Sequence, residues 1–338
     1  MTIKFKGVYI GDKCSLIGSN KYNPIVKINV DKYVDDYYMN EKSIELSEKA
    51  YQEYTINELL KRNSVSTLIS GDLQNQILSS TLASSKFGLS TLGIYSACAT
   101  FVEGLIIGSL VTEKTKSNVI VTSSSHNLVS EKQFRFPVEY GAVRKNVNTC
   151  TATGSVSALL TRKKSNIKIE YATIGKVIQT NHKDSNDMGS AMAPSCAEVL
   201  NKHLNDTNRK VDYYDLILTG DLGKFGLEIM IEYFEKISNQ KITNIIDSGS
   251  IFYSENNIYA GASGPVCLPL ILFDYILKEK KYKKILIIGT GSLHSVISTN
   301  QNIEIPSISH AVSLEVKYWI IYYLLYFVDL FAWYQNTF

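Results

Sequence analysis

The sequence predicts an α/β fold built from two repeated halves. Strand patterns alternate with helix patterns along most of the 338 residues, an order typical of α/β units. A strand that ends in Gly-Asp-Leu before a helix occurs in both halves, at residues 67–73 and 216–222. A second repeat, an apolar strand followed by a small polar loop ending in histidine, occurs at residues 118–126 and 284–294. Because both repeats keep the same order, duplication is favoured over chance, and we expect two units with largely parallel sheets.

The elements of the first half follow from short apolar runs and from helical spacing. Leu46, Ala50 and Tyr54 recur every four residues and predict a helix. The predicted elements are a strand at 1–13, a helix over about 41–61, a strand at 65–70 and a strand-to-helix joint at 92–111. In the joint, residues 92–95 have the apolar pattern of a buried strand.

Cys98 lies in this joint, directly before the predicted helix. The unpaired N–H groups and the dipole of a helix N-terminus stabilise negative charge, which activates a thiol or binds an anion. Cys98 is therefore predicted to be either a nucleophile or the floor of an anion pocket. The alternative is a small buried apolar side chain, which is the commoner role of a free cysteine.

The second half is predicted to contain a strand at 166–174, a loop at 175–193, a helix around 194–204 and a helix over 261–277. Gly261 and Gly264 open the last of these helices, where backbone N–H groups could hold an anion. The first strand-to-helix turn lacks the G-x-G-x-x-G pattern that a dinucleotide site requires.

Composition and charge exclude several classes of function. The net charge of +3 comes from scattered Lys and Arg, which argues against nucleic acid as the main partner. The five cysteines are odd in number and contain no C-x-x-C pair, so neither a zinc site nor a disulfide framework is indicated. Residues 1–13 lack the apolar run of a signal peptide, and we expect a protein of a reducing, cytosolic compartment where it is made.

The C-terminal segment at 318–334 differs from the rest of the chain. Its 17 residues are almost all apolar or aromatic, with Asp329 as the only charge. A bilayer span needs ~20 apolar residues, and a central Asp costs ~3 kcal/mol on insertion scales. An interfacial helix, a marginal membrane anchor, a buried C-terminal helix and a non-native extension all remain open.

Eight segments, in the same order, resemble a known family over roughly residues 5–316. They are residues 71–76, 95–98, 122–127, 133–141, 172–177, 188–194, 219–222 and 305–312. They are similar to the thiolase and ketoacyl-synthase fold and, within it, to the stage V sporulation protein AD family. The resemblance implies a thiolase-like five-layer αβαβα fold from two duplicated halves. We expect an N-terminal half at 1–165, a C-terminal half at 166–316 and a tail of uncertain status at 317–338.

The resemblance also implies a function in bacterial spores. That function is the non-catalytic binding of dipicolinic acid (pyridine-2,6-dicarboxylate), with Ca²⁺ as a chelate partner and no cofactor, for uptake into or release from the spore. The protein would be the soluble component of a membrane channel complex, peripheral on the cytoplasmic side of the forespore or spore inner membrane. Its expected partners are the channel subunits, and a homodimer through a sheet edge is a further expectation.

The alternative is a cysteine-dependent acyltransferase, because Cys98 aligns with the nucleophile of thiolases and ketoacyl synthases. Those enzymes need a histidine for proton transfer, commonly in a Gly-His-Pro-like segment. The corresponding segment here, 259–267, contains no histidine. His126 and His294, on the repeated loops, could take that role, whereas His203 is expected to be exposed on a polar helix end. A scaffold with an empty pocket also remains open.

The chemistry of dipicolinate predicts the site. A flat aromatic dianion needs N–H or cationic donors for its carboxylates and apolar walls for its ring. The candidate ligand-binding residues are Cys98, His126, Asn127, Arg135, Asp187, Ser263 and Gly264. For His126 and Arg135 a structural role is weighed equally, the latter as an ion pair with Glu139. Asp187 would repel a bare dianion but could help to hold calcium in a chelate.

Overall fold

The computed structural model describes residues 1–19, 28–134, 145–253 and 260–318. The strands are β1 (Thr2–Ile17), β2 (Lys32–Tyr33), β3 (Thr67–Gly71), β4 (Ser90–Gly93), β5 (Val119–Ser125), β6 (Thr149–Thr151), β7 (Gly154–Thr161), β8 (Ile167–Thr173), β9 (Leu216–Thr219), β10 (Ile245–Asp247), β11 (Gly261–Ser263), β12 (Lys284–Ser292) and β13 (Ser307–Val316). The helices are α1 (Ile44–Leu60), α2 (Leu78–Ser85), α3 (Thr100–Thr115), α4 (Asn127–Phe134), α5 (Met188–Thr207), α6 (Gly223–Ser238), α7 (Ser248–Phe252), α8 (Cys267–Asp274) and α9 (Val296–Asn300).

The large sheet has the strand order β10-β9-β12-β13-β8-β1-β7-β5-β3-β4. In the first half, the pairs β4-β3 and β3-β5 are parallel, and the pairs β5-β7 and β7-β1 are antiparallel. In the second half, β10-β9 and β9-β12 are parallel, and β12-β13 and β13-β8 are antiparallel. The same pairing pattern therefore occurs twice, and the antiparallel pair β1-β8 joins the two copies.

The expectation of largely parallel sheets is wrong, because half of the pairings in each copy are antiparallel. The apolar pattern of a strand records which face is buried and not the direction of its neighbour. Residues 92–95 were expected to form a buried strand, but the strand here is the exposed edge strand β4, which ends at Gly93.

Five layers follow from the packing of the helices. The central helix α3 contacts β5 on one side and β12 on the other, and α8 lies beside β9. Helix α1 covers the outer face of the first half through β5 and β7, whereas α5 and α6 pack together over the second half. Gly104 of α3 permits the central contact, since a Cβ there would lie 2.5 Å from Cγ1 of Val121. This layering brings the N-termini of α3 and α8 to the junction of the halves.

Helix α5 begins at Met188 and not near Pro194, where the sequence suggested a start. The Asp187 side chain caps it by accepting a hydrogen bond from the Ser190 N–H at 3.2 Å. Proline is typical of a helix start, so its position inside α5 misled the prediction.

The tail at 319–338 lies outside the described residues. Within the described part of the chain, no helix is long and apolar enough to cross a membrane.

Candidate functional site

A cavity at the junction of the two halves contains Cys98 in its wall. Its volume is about 30 Å³, room for about one or two water molecules. The lining residues that the structure describes are Leu73, Tyr95, Ala97, Cys98, Ser130, Phe134, Thr151, Met188, Ser263, Ser292 and His294. Apolar and aromatic side chains alternate there with hydroxyl groups, and these lining residues include no Lys or Arg.

A tight turn holds Cys98 immediately before α3. Ala97 has a φ of 48°, in the left-handed region, which costs a non-glycine residue about 1 kcal/mol or more. Thr100 stabilises the turn, since its Oγ1 accepts a hydrogen bond from the Ser96 N–H at 3.0 Å and donates to the Ala97 carbonyl at 2.6 Å. The position of Cys98 at a helix N-terminus, expected from the sequence, is thus fixed by strained backbone.

The Cys98 thiol donates a hydrogen bond to the carboxyl group of Asp221, a residue that follows β9. The same carboxyl accepts hydrogen bonds from the Gly264 N–H at 2.9 Å and from the Thr290 hydroxyl at 2.8 Å. Asp221 is 1 % exposed, and this burial raises the pKa of its carboxyl group to about 7. The carboxyl thereby links the N-terminal turns of α3 and α8.

Asp221 was not selected from the sequence as a site residue. The signal was present, because Asp221 belongs to the repeated Gly-Asp-Leu turn. Its contact with Cys98 joins the two halves of the chain, and no local pattern records such a pair.

Ser130 of α4 is a second residue that sequence reasoning missed. It lines the cavity and is 5 % exposed. In the part of the chain that the structure describes, its Oγ has no hydrogen-bond partner. A buried hydroxyl without a partner is costly unless water or a ligand satisfies it.

The structure places the site residues predicted from the sequence at different distances from the cavity. Ser263 lines the cavity with Cys98, and Gly264 reaches it through its N–H bond to Asp221. Asn127 lies behind the wall, where its Nδ2 donates to the Cys150 Sγ at 3.1 Å. Asp187, the cap of α5, precedes the lining residue Met188, and Arg135 lies outside the described residues.

His126 is buried away from the cavity wall. Its Nε2 lies 3.0 Å from the Tyr37 carbonyl oxygen, and its ring stacks on Tyr51 with centroids 5.9 Å apart. Burial lowers the pKa of His126, so the neutral ring is favoured there.

His294, on the loop that repeats the His126 loop, does line the cavity. Its Nδ1 lies 3.1 Å from the Ser292 Oγ, and its ring centroid lies 5.3 Å from that of Phe134. Of the two histidines singled out from the repeat, the structure brings this one to Cys98.

The expectation that His203 is exposed is wrong. Its Nδ1 lies 2.7 Å from the Thr173 Oγ1, and its Nε2 lies 2.7 Å from the Tyr214 hydroxyl. Burial lowers its pKa to about 4. The Lys and Asn neighbours that suggested exposure, Asn201, Lys202 and Asn205, are themselves half-buried or exposed.

The described ranges contain no group of three or more His, Cys, Asp or Glu side chains placed to hold a metal ion. Near Asp187, the carboxylate of Asp184 forms an ion pair with Lys145 at 2.7 Å.

Comparison with known families decides where the chain belongs. The family model of stage V sporulation protein AD matches residues 1–315. The chain belongs to the stage V sporulation protein AD family. The stage V sporulation protein AD of Bacillus subtilis (strain 168) is 34 % identical over 295 residues, which cover 84 % of this chain and 87 % of that protein. This protein of the stage V sporulation protein AD family is therefore a sporulation protein, as the sequence motifs predicted.

Solved structures show the fold of this family member. The 3-oxoacyl-(acyl-carrier-protein) synthase III of Aquifex aeolicus VF5 has a TM-score of 0.55 at 15 % identity, covering 91 % of this chain and 100 % of that one. Cerulenin-bound OleA of Xanthomonas campestris has a TM-score of 0.60 at 14 % identity, covering 93 % and 100 %. AbyA1, a tetronic acid condensing enzyme, has a TM-score of 0.57 at 11 % identity, covering 91 % and 99 %. These similarities confirm the predicted thiolase-like fold.

Proposed function

We propose that this protein binds dipicolinate, without chemical turnover, in the Cys98 cavity. The proposal rests on the side chains that line the cavity. Leu73, Tyr95, Phe134 and Met188 provide apolar and aromatic surface, while the hydroxyl groups and the Cys98 thiol provide polar contacts. The apolar surface suits a flat aromatic ring, and the hydroxyl and thiol groups are hydrogen-bond donors for carboxylates.

The surroundings of the thiol support binding over turnover. Cysteine-dependent acyl transfer uses the thiolate together with a histidine that moves the proton. The thiol of Cys98 meets the Asp221 carboxyl, and the segment 259–267 has no histidine.

Ligand entry requires the cavity to widen. Its volume is about 30 Å³, whereas ligand pockets commonly measure roughly 300 Å³ or more. Phe134 of α4 and Met188 of α5 both line the cavity, so outward movement of these side chains would enlarge it.

Membership in a sporulation family supports the wider proposal. We place the protein on the cytoplasmic side of the forespore or spore inner membrane, as the peripheral component of a channel complex that moves dipicolinate. Its partners would be the channel subunits, and calcium would arrive with the ligand as the chelate.

Calorimetric titration of the full chain with dipicolinate, with and without calcium, tests the binding proposal. We expect saturable binding of one ligand per chain, weakened about five- to tenfold in Cys98→Ala, because a lost hydrogen bond costs ~1 kcal/mol. Cys14→Ala is the control for the loss of a thiol, since Cys14 lies outside the described cavity wall; it is fully buried, whereas Cys98 is half-buried. A folded protein that gives no binding heat under either condition would disprove the proposal.

A cysteine-dependent acyltransferase is the second candidate. Two observations favour it: the similar solved structures include condensing enzymes, and Cys98 shares its cavity with His294. Incubation with an acyl-CoA followed by intact-mass measurement separates the two functions. An adduct on the wild type that is absent from Cys98→Ala would establish the enzyme.

We also propose a homodimer through the edge strand β4. This strand ends the sheet, and its Leu92 is 46 % exposed beside Leu78 and Leu82 of α2. An exposed edge strand is a template for pairing with a second chain.

The proposed dimer predicts that a substitution in β4 lowers the molecular mass of the protein in solution. We expect Leu92→Lys to halve the molecular mass in sedimentation, because a buried charge would oppose strand pairing. Leu110→Lys is the control, since Leu110 is a comparably exposed leucine of α3, at 39 %. Equal masses for the wild type and Leu92→Lys would exclude this interface.

A further inference from the structure

We infer that an anionic ligand enters the Cys98 cavity together with one proton, which Asp221 holds; the inference rests on the proposed binding function. Asp221 therefore acts as a specificity-determining residue behind the cavity wall. Binding removes a proton from solvent and forms no covalent bond.

The geometry places a carboxyl group directly behind the thiol that lines the cavity. The Gly264 N–H and the Thr290 hydroxyl fix that carboxyl group, so it cannot turn away from the ligand. The described lining residues include no Lys or Arg to balance a ligand's charge. An anion at the thiol would thus face a carboxylate across one side chain, in a site with little water. Protonation of the carboxyl removes this repulsion.

Four titratable side chains face Asp221 from the surrounding elements. Asp247 ends β10, Cys98 precedes α3, and Cys196 and Cys267 belong to α5 and α8. None of these four is a cation. Burial, with a smaller contribution from the charge of Asp247, raises the pKa of Asp221 to about 7, so its proton is available near neutral pH.

The pH dependence of ligand affinity follows from the protonation of Asp221. Below about pH 7 the carboxyl of the free protein is already protonated, and affinity should be flat. Above about pH 7 each bound anion must bring a proton, and the dissociation constant should rise up to about tenfold per pH unit.

Calorimetry of the full chain with dipicolinate, in buffers of different ionisation enthalpy at about pH 8, measures the coupling. We expect an uptake of about one proton per ligand by the wild type. Asp221→Asn should bind with no proton uptake and no pH dependence. Asp72→Asn, in the matching Gly-Asp-Leu turn of the first half, should keep the uptake.

His294 lines the cavity and could take the proton instead of Asp221. Proton uptake that persists in Asp221→Asn would therefore overturn the inference. Binding by the wild type without proton uptake would also overturn it and leave the proposed function intact. No saturable binding at any pH would overturn both.

Discussion

Replacing Asp247 by alanine should lower the free energy of unfolding by about 4 kcal/mol or more, since each buried donor left without a partner costs ~1–3 kcal/mol. Asp247 is fully buried. Its carboxylate accepts hydrogen bonds from the Thr219 hydroxyl at 2.7 Å and from the N–H groups of Leu222, Gly223 and Ser250, each at 2.9 Å. Alanine would leave all four donors without that acceptor.

The measurement is denaturation followed by circular dichroism at neutral pH. Asp36→Ala is the matched control, because the Asp36 carboxylate also accepts two backbone N–H groups, those of Tyr38 and Asn40, but lies at the surface. We expect little change there, since water replaces the lost acceptor. Equal destabilisation of the two variants would contradict burial as the cause.

The duplication was predictable because the Gly-Asp-Leu turn itself occurs twice in the sequence. The contacts of its two carboxyl groups differ, since Asp72 accepts the nearby N–H groups of Gln74 and Ser80, whereas Asp221 accepts that of Gly264, 43 residues away. The exposed position of β4 was not predictable, because a strand becomes an edge through the order of the whole sheet. A short apolar run is compatible with either position.

The cavity was predictable only in part for a similar reason. Cys98 directly precedes α3, a position that the sequence indicates. Ser263 was expected in a helix over 261–277, but it ends β11, and α8 begins only at Cys267. His126 and His294 occupy equivalent loops, and only packing separates them, since one ring stacks on Tyr51 and the other contacts Phe134. Pairs formed by residues far apart in the chain, such as Cys98 with Asp221, require the fold.

A second large effect concerns Glu48, which is 1 % exposed on the buried face of α1. Its carboxyl oxygens accept hydrogen bonds from the Ser124 hydroxyl at 2.8 Å and the Gln74 side-chain amide at 2.9 Å. Burial, with added repulsion from Asp72, raises the pKa of Glu48 from 4.5 to about 8. The folded state therefore binds this proton more tightly than the unfolded state does. The contribution of Glu48 to stability is fully present below about pH 4.5 and is lost as the pH rises towards about 8.

Glu48→Gln should consequently be more stable than the wild type at about pH 8 and should lose this advantage towards about pH 4.5. The glutamine keeps an acceptor for Gln74, points its amide at the Ser124 hydroxyl and removes the charge that opposes Asp72. Unfolding measured at several pH values gives the two stability curves, and their difference reports the Glu48 carboxyl together with its effect on Asp72. Glu58→Gln, on the same helix but in a surface ion pair with Lys61, should leave the pH dependence of stability nearly unchanged. If Glu48→Gln were instead less stable than the wild type at about pH 8, the carboxyl would have to be ionised and stabilised within this network.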